Sequence, residues 1–462
     1  MRLAATKLSS IHQYRGLGNQ LYDAAGVVPS LDLDFASTKA LTDNASGQQL
    51  VTFTRASSGT FVGSDGLLKT AVTNEARFDH NPTTGESLGL LVEEQRTNLL
   101  LRSEDFATTW TNTGSSENTN VAVAPDGTQT ADALVDTAIN ETHNLTQTVS
   151  GLAGSIAYTF SCFMKKGSKN HGVLVFAPNT SWAIGTGASV FFDLNNGTVG
   201  TAANATGTIQ ALPNGWYRCT ATATTAVAPG TVTMRIGSSL TGAAQTYTGS
   251  GDEAIYLWGA QLEAGSFATS YIPTTTATVT RSADVASITG ANFTPWYNHS
   301  EGTLRASASI RGGNTVISSG LAILNGVAKL AETAVTSNSR ALTLNTTTTP
   351  NRYVAAQRSA VSNISIFDNA YEAIQFGKHY GLGVSYANNS TQGLAFSVDG
   401  RSAVTNTTAV DVPVPTRLLI GAGNPGSSVG QGADEYYLNG TIKRLTYWPQ
   451  RLPNTTLQQI TQ

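Results

Sequence analysis

Charge is scarce in this sequence. Of its 462 residues only 12% are charged, whereas an average globular protein has about 25%. The formal net charge is −3, and the densest basic stretch, Lys165-Lys166-Gly-Ser-Lys169, has the composition of a hairpin turn. Nucleic acids and anionic membranes are bound by clustered positive charge. The composition therefore predicts neither of them as a partner.

Cysteines and long apolar runs are also scarce. Cys162 and Cys219 are the only cysteines, so a disulfide framework is excluded. We expect both to be small core residues on two strands, although a single disulfide between them is an open alternative. No run of about 18 apolar residues predicts a membrane-spanning helix, and the first residues lack the apolar centre of a signal peptide. The sequence thus predicts synthesis in a reducing cytoplasm without membrane insertion.

Signatures of catalysis and metal binding are missing as well. The six histidines are scattered, and His80 beside Asp79 has no nucleophile or metal partner. Asp32 and Asp34 alternate with apolar residues and should share a solvent-facing side, but a third oxygen ligand is not evident. No nucleophile elbow, phosphate-binding loop or paired-carboxylate strand motif occurs. We predict no enzyme, no metal and no cofactor.

The residues that are plentiful favour β-structure. The chain has 45 glycines and is rich in Thr, Ser and Asn, while 40% of it is hydrophobic. Apolar and polar residues alternate from Tyr158 to Met164, and Asn195-Asn-Gly197 is a strong turn signal. Short strands with polar turns and almost no helix signal predict an all-β protein. We expect tandem antiparallel β-sandwiches of jelly-roll and lectin-like type, preceded by a short N-terminal attachment segment.

The predicted organisation has five parts. Residues 1–30 form a docking segment in which Ser10 could cap a short amphipathic helix, and a flexible leader is the alternative. A small β attachment module follows at 31–98. We then expect a carbohydrate-binding-module-like jelly roll at 99–275, a Thr-rich linker at 276–290 and a concanavalin-A/laminin-G-like sandwich at 291–462.

The stretch Gly89 to Leu101 lies at the predicted boundary between the module at 31–98 and the jelly roll at 99–275. It contains two apolar runs around a charged and polar corner formed by Glu93, Glu94, Arg96 and Asn98. Such a corner is usually fixed by its own hydrogen bonds while the apolar halves are buried. We expect these four residues to be structural, and Arg96→Ala to disturb folding or assembly without changing ligand affinity.

Several motifs resemble a known family. The chain resembles the head spike fibre or tail fibre proteins of tailed bacteriophages and gene-transfer-agent particles over residues 31 to 290. The resemblance rests on Phe53-Thr-Arg-Ala-Ser57, Asp65-Gly-Leu, Arg77-Phe-Asp79, Gly89 to Leu100, Ser103-Glu-Asp-Phe106, Ala124-Pro-Asp-Gly127, Asn214-Gly-Trp-Tyr-Arg218, Tyr256 to Glu263 and Thr269-Ser-Tyr-Ile-Pro-Thr274. It implies a virion surface protein with carbohydrate-binding-module-like sandwiches.

This resemblance leads to a set of functional expectations. The protein is expected to be a non-enzymatic spike or fibre on the virion surface that binds host-surface polysaccharide. Other virion proteins would be contacted through the N-terminal segment, and a homo-oligomer, most simply a trimer, is implied. A purely structural decoration or connector protein is the first alternative. A polysaccharide depolymerase is the second.

The aromatic side chains include candidate sugar-binding residues, because sugars often pack on an exposed ring that has amides and hydroxyls beside it. Trp182 is the leading candidate, since Gly185 and Gly187 follow it in a loop-like context. The other candidates are Trp296, Tyr297, Tyr436 and Tyr437. Each of these rings could instead pack in a core or a subunit interface. Three further tryptophans lie on predicted strands and are expected in the core: Trp216, Trp258 and Trp448.

Overall fold

The protein consists almost entirely of antiparallel strands. A computed structural model describes residues 20–183, 185, 187–312, 324–331, 339–345, 352–358, 363–368, 375–388, 392–407, 414–423 and 436–462. Its helices are α1 (Gln20–Ala25), α2 (Phe35–Thr38) and α3 (Asn454–Ile460). The predicted all-β fold class is confirmed.

The strands of the first 150 residues are short. In chain order they are β1 (Leu31–Leu33), β2 (Thr52–Thr54), β3 (Gly59–Val62), β4 (Leu68–Ala71), β5 (Phe78–His80), β6 (Ser87–Val92), β7 (Arg96–Asn98), β8 (Thr111–Thr113), β9 (Ser115–Ala122), β10 (Ala131–Asp136), β11 (Asn140–Thr142) and β12 (Asn144–Val149). Then follow β13 (Ala157–Lys166), β14 (His171–Ala177), β15 (Ala188–Asp193), β16 (Thr198–Ala203), β17 (Thr206–Ala211), β18 (Trp216–Thr224), β19 (Val232–Ser239), β20 (Thr246–Thr248), β21 (Glu253–Ala264), β22 (Val279–Arg281) and β23 (Val285–Thr289).

The remaining strands lie in the last third of the chain. They are β24 (Glu301–Ile310), β25 (Leu324–Ala331), β26 (Ser339–Asn345), β27 (Arg352–Arg358), β28 (Asn363–Asp368), β29 (Tyr380–Ala387), β30 (Leu394–Val398), β31 (Val404–Asn406), β32 (Arg417–Ile420), β33 (Ala422–Gly423), β34 (Tyr436–Tyr437) and β35 (Gly440–Trp448).

The chain divides into two compact units, and neither is a continuous segment. The terminal unit contains the described residues of 1–55, 87–94 and 284–462, and the sandwich unit contains 56–86 and 95–283. The predicted module at 31–98 is therefore distributed over both units. The predicted linker at 276–290 is not a linker either. Its strand β22 pairs with β7 in the sandwich unit, while β23 pairs with β2 and β32 in the terminal unit.

The sandwich unit contains two six-stranded antiparallel sheets. The front sheet has the strand order β16–β15–β14–β19–β12–β8, and the back sheet has the order β17–β18–β13–β21–β10–β9. Alternate side chains of both sheets meet in one core, where the rings of Phe160 and Phe176 lie 6.1 Å apart. Strands with this alternation bury one face in the core, and their other face points away from the core.

The terminal unit has two large antiparallel sheets. One runs in the order β31–β30–β29–β24–β35–β6, with β1 also paired to β35, and the other runs β2–β23–β32–β25–β26–β27–β28. Helix α1 packs with Trp448, Leu452 and α3 in a small apolar cluster. The predicted docking segment thus ends in a helix packed on its own unit, while Ser10 and the rest of residues 1–19 lie outside the described residues. None of the helices in the described part is long and apolar enough to cross a membrane.

The stretch Gly89 to Leu101 contributes to both units. Leu90, Leu91 and Val92 are fully buried in the terminal unit, where the amide of Glu93 donates to Asp284 and Asn439 bonds Glu94. Asn98 is fully buried in the sandwich unit. Its side-chain amide donates to the carbonyls of Ala260 and Ile272, and its oxygen accepts from the amides of Leu100 and Leu262. Glu93, Glu94 and Asn98 are held by hydrogen bonds whose partners lie mostly in distant segments of the same unit, whereas the sequence predicts bonds within the corner itself.

Candidate functional site

The back sheet has a covered outer face. Phe163, Trp216, Trp258 and Tyr271 are buried there together with Leu68 of β4, and the ring centroids of Trp258 and Tyr271 are 4.8 Å apart. The amide of Leu68 donates to the carbonyl of Pro125. The aromatic patch on this face is therefore covered by protein.

The front sheet carries a mixed outer face, on which Val173, Val175 and Phe191 form a small buried apolar cluster beside polar residues. Its strand register aligns one residue from each of five strands in a transverse row: Thr111, Thr146, Arg235, Val175 and Ser189. The residues that alternate with them, such as Met234 and Leu174, belong to the core and so face inwards. This row, which we call the hydroxyl row, presents three hydroxyl groups and one guanidinium on a single face.

An open groove of about 440 Å³ lies at one end of the hydroxyl row. Val175 and Pro178 supply apolar surface in it. Its polar lining consists of Asn179, Ser189, Arg235 and Gln245. Both acceptors and donors are present, because amides and hydroxyls can do either, whereas the guanidinium only donates.

A second open groove, of about 390 Å³, lies at the other end of the row. It is lined by Thr111, Thr146, Thr148 and Gln147 together with the leucines Leu99 and Leu101. No carboxylate lines either groove.

Arg235 lines the first groove and pairs with Thr146, which lines the second. The strand register places it directly opposite Thr146 on one neighbouring strand and Val175 on the other. Its Nε is buried without a hydrogen-bond partner, and its side chain makes no ion pair or hydrogen bond with any residue that the structure describes. An unpaired buried donor is costly, so this guanidinium is a candidate for ligand recognition.

The predicted platform Trp182 is not a platform. Its side chain is only 2% exposed, it belongs to the sandwich core, and its ring lies 4.7 Å from that of Phe176. Pro178, Asn179 and Gly187 of the same loop line the first groove. The indole instead turns inwards because the core offers it an edge-to-face aromatic partner.

The other predicted aromatic residues lie in the terminal unit. Trp296 is 5% exposed, packs against Phe293, and donates through Nε1 to the carbonyl of Asn292. Tyr437 is buried as well, so neither ring offers a face to a sugar. Tyr297 is half-buried and packs against Phe293 and Trp296, and it stays a prediction. Tyr436 belongs to β34, and its side chain lies outside the described residues.

Sequence reasoning missed Arg235. The signal was present in Val232-Thr-Met-Arg-Ile236, where apolar residues alternate with Thr233 and Arg235. Such alternation places an arginine on the outer face of a strand. What the sequence does not reveal is that β19 is central in its sheet and that no acidic residue meets Arg235 from β12 or β14.

Asp32 does not face solvent, contrary to the prediction. It is fully buried and accepts two hydrogen bonds from Arg444, at 2.7 and 2.8 Å, and another from the hydroxyl of Tyr22. Asp34 accepts from the amide of Ser37 and so caps α2. Among the residues that the structure describes, no group of three or more His, Cys, Asp or Glu side chains could hold a metal ion.

A buried carboxylate fixes the turn before β21. Asp136 accepts hydrogen bonds from the amides of Ser250 and Gly251, both at 3.0 Å, and from Tyr247, and its Oδ2 lies 3.0 Å from Nζ of Lys169. Burial opposes the charged form of Asp136, but the hydrogen bonds from Ser250, Lys169 and Tyr247 outweigh burial and lower the pKa of the carboxyl. The whole network is internal, which makes it a structural element.

Cys162 and Cys219 face each other across β13 and β18. Both are free and fully buried in the sandwich core, which confirms that they are core residues. Burial raises the pKa of both thiols above the usual value for cysteine. Trp216, Trp258 and Trp448 are also buried, as predicted.

Comparisons with known proteins give only remote likenesses. No family model matches the chain, and no curated protein matches it. The structure of the Ruminococcus gnavus IT-sialidase CBM40 bound to α2,6-sialyllactose is similar over 36% of this chain and 85% of that one, at 12% identity and a TM-score of 0.28. The botulinum neurotoxin serotype G binding domain is similar over 38% of this chain and 40% of that one, at 7% identity and a TM-score of 0.27. Scores this low support no conclusion about function.

Proposed function

We propose that this chain is a non-enzymatic surface protein of a phage-like particle, a spike or fibre, whose sandwich unit binds host-surface glycans. The observation that carries the binding function is the outer face of the front sheet. Two open grooves lie there along one row of hydroxyl-bearing residues, beside an arginine with no partner among the described residues.

The chemistry of the face suits a saccharide. Sugar hydroxyls donate and accept hydrogen bonds, and Thr146, Ser189, Asn179 and Gln245 can do the same in return. Pro178, which is exposed in the first groove, offers an apolar surface for the C–H face of a sugar ring. An open groove also suits a polymer, because a long chain can lie in it without entering end first.

The particle context rests on the sequence resemblance over residues 31 to 290. Spikes and fibres are symmetric assemblies, so we propose a homo-oligomer, with a trimer as the first state to test. The other partners proposed are virion proteins, contacted through residues 1–30, and the host polysaccharide. The location proposed is the virion surface, after synthesis in the host cytoplasm.

Two other functions compete with this one. A decoration or connector protein would use its sheets for assembly only and would bind no saccharide. A polysaccharide depolymerase would require an acid and a nucleophile or base at the bound sugar, and the two grooves contain no carboxylate for either role.

A glycan array with the purified full-length protein tests the proposal. The groove-filling variant Ser189→Trp places an indole in the first groove, and Thr208→Trp is its control on an exposed position of the back sheet. We expect the wild type and the control to bind the same saccharides and to adsorb to host cells, whereas Ser189→Trp binds neither. Absence of saccharide binding by the wild type, or undiminished binding by Ser189→Trp, would contradict the proposal.

A further inference from the structure

Arg235 points to a particular class of sugar. Its guanidinium stands on a central strand of the front sheet with no carboxylate beside it in either groove. Partial burial of a cation without a counter-ion costs free energy, and a bound anion would supply the opposite charge. The missing counter-charge is therefore expected on the ligand.

The other residues that line the two grooves narrow the choice of ligand. The two grooves contain no second cation, so one positive charge is available. They also contain no aromatic residue, so a neutral sugar cannot be held by ring stacking at this place. Recognition must depend on hydrogen bonds and on Arg235, and a single guanidinium fork matches a planar, singly charged carboxylate.

We propose that the hydroxyl row binds a carboxylate-bearing saccharide, with the carboxylate paired to the guanidinium of Arg235. This inference rests on the proposed glycan-binding function and specifies its ligand class. The row from Thr111 to Ser189 spans four strand spacings, about 19 Å, so an acidic polymer lies across the strands with several rings in contact. Thr146 bonds the ring on one side of the carboxylate, and Ser189 bonds the ring on the other.

The experiment uses pairs of saccharides that differ only in charge. Alginate, polygalacturonate, hyaluronan and polysialic acid are each tested beside their carboxyl-reduced forms, with dextran sulfate and neutral dextran added. The full-length wild type is compared with Arg235→Gln, Arg235→Lys and the control Lys166→Gln. Lys166 is an exposed cation of the back sheet that bonds Asn195, so its loss removes the same charge from the same unit.

We expect at least one acidic polymer to bind and its reduced form to fail. Arg235→Gln should weaken binding roughly 10- to 100-fold, the range for a hydrogen bond between charged groups, and Arg235→Lys should recover only part of it. Lys166→Gln should bind like the wild type. Melting curves of the four proteins should coincide, because Arg235 has no protein partner to lose among the described residues.

Several results would overturn the inference and leave the proposed function intact. They are binding confined to neutral saccharides, equal binding of acidic and carboxyl-reduced forms, and equal affinities of Arg235→Gln and Lys166→Gln. A preference for dextran sulfate over every carboxylate polymer would replace the carboxylate by a sulfate and overturn it too. Absence of binding to every saccharide would reject the proposed function itself.

Discussion

The two sheets of the sandwich unit face one core but differ on their outer sides. The back sheet presents Phe163, Trp216 and Trp258, and these rings are buried beneath a second layer of chain that includes Leu68 and Tyr271. The front sheet presents the hydroxyl row, where Thr111 is exposed and Thr146 and Arg235 are half-buried. Two sheets with the same inner pattern can thus have different outer faces. The outer residues decide whether a face is covered by protein or remains open to water.

The comparison predicts that the covered face carries stability and the open face carries binding. Trp258→Ala removes a buried indole that packs on Phe163 and Tyr271, at ring distances of 5.4 and 4.8 Å. We expect the free energy of unfolding to fall by about 3–5 kcal/mol. Denaturant unfolding measures this, with Thr148→Ala on the open face as control, for which we expect a change within about 0.5 kcal/mol. Similar losses for both variants would remove the distinction between the faces.

The second test concerns the turn held by Asp136. Lys169→Met leaves that buried carboxylate without its cation, and we expect a loss of about 3 kcal/mol at neutral pH. Because the pKa of Asp136 is lowered in the folded protein, its charged form stabilises above the unfolded pKa, and this contribution disappears as the pH falls through the folded value. The stability difference between wild type and variant should therefore shrink below about pH 4. A difference independent of pH would show that the ion pair is not its cause.

The third test returns to the polar corner. Arg96 is 7% exposed, its guanidinium lies 5.0 Å from the ring centre of Phe267, and a Cβ on Gly265 would come within 1.7 Å of its Nη1. We expect Arg96→Ala to lower the free energy of unfolding by about 1–3 kcal/mol, because a closely packed stem and charge are lost. The control Arg102→Ala removes a partly exposed pair with Asp105 and should cost less than about 1 kcal/mol. A folded Arg96→Ala protein that has lost only saccharide binding would contradict the structural role.

The smallest effect is expected on the open face. Thr146→Val keeps the shape of the side chain and removes the hydroxyl from the row. We expect saccharide affinity to fall about fivefold, the value of one neutral hydrogen bond, with little change in stability. Calorimetric titration of the best array ligand measures it, and Thr208→Val on the back sheet should bind like the wild type. An affinity equal to that of the control would place the sugar away from Thr146.

The sequence predicts the class of fold because its signals are local. Alternation in Tyr158 to Met164 and the turn at Asn195-Asn-Gly197 need only neighbouring residues to be read. The burial of Cys162 follows from the same alternation, and Trp258 is expected in the core because it lies on a predicted strand. These predictions are confirmed by the structure.

The candidate site was harder to predict because it depends on register. Thr146, Arg235 and Ser189 are far apart in sequence and become neighbours only through strand pairing. Burial is equally non-local, which is why Trp182 in a glycine-flanked loop resembled a platform. The module boundaries at 98 and 275 failed for a related reason, since each unit collects segments from distant parts of the chain.

The pairing of β1 with β35 has a consequence for biosynthesis. Asp32 of β1 accepts a hydrogen bond from Thr446, which is 414 residues further along the chain. During translation, all residues of the sandwich unit are available once residue 283 has left the ribosome. Strand β1 cannot pair with β35 until residues 284–448 have also been synthesised. The two units should therefore fold in sequence, the sandwich unit first. The terminal unit closes late and slowly, as long-range strand pairing requires.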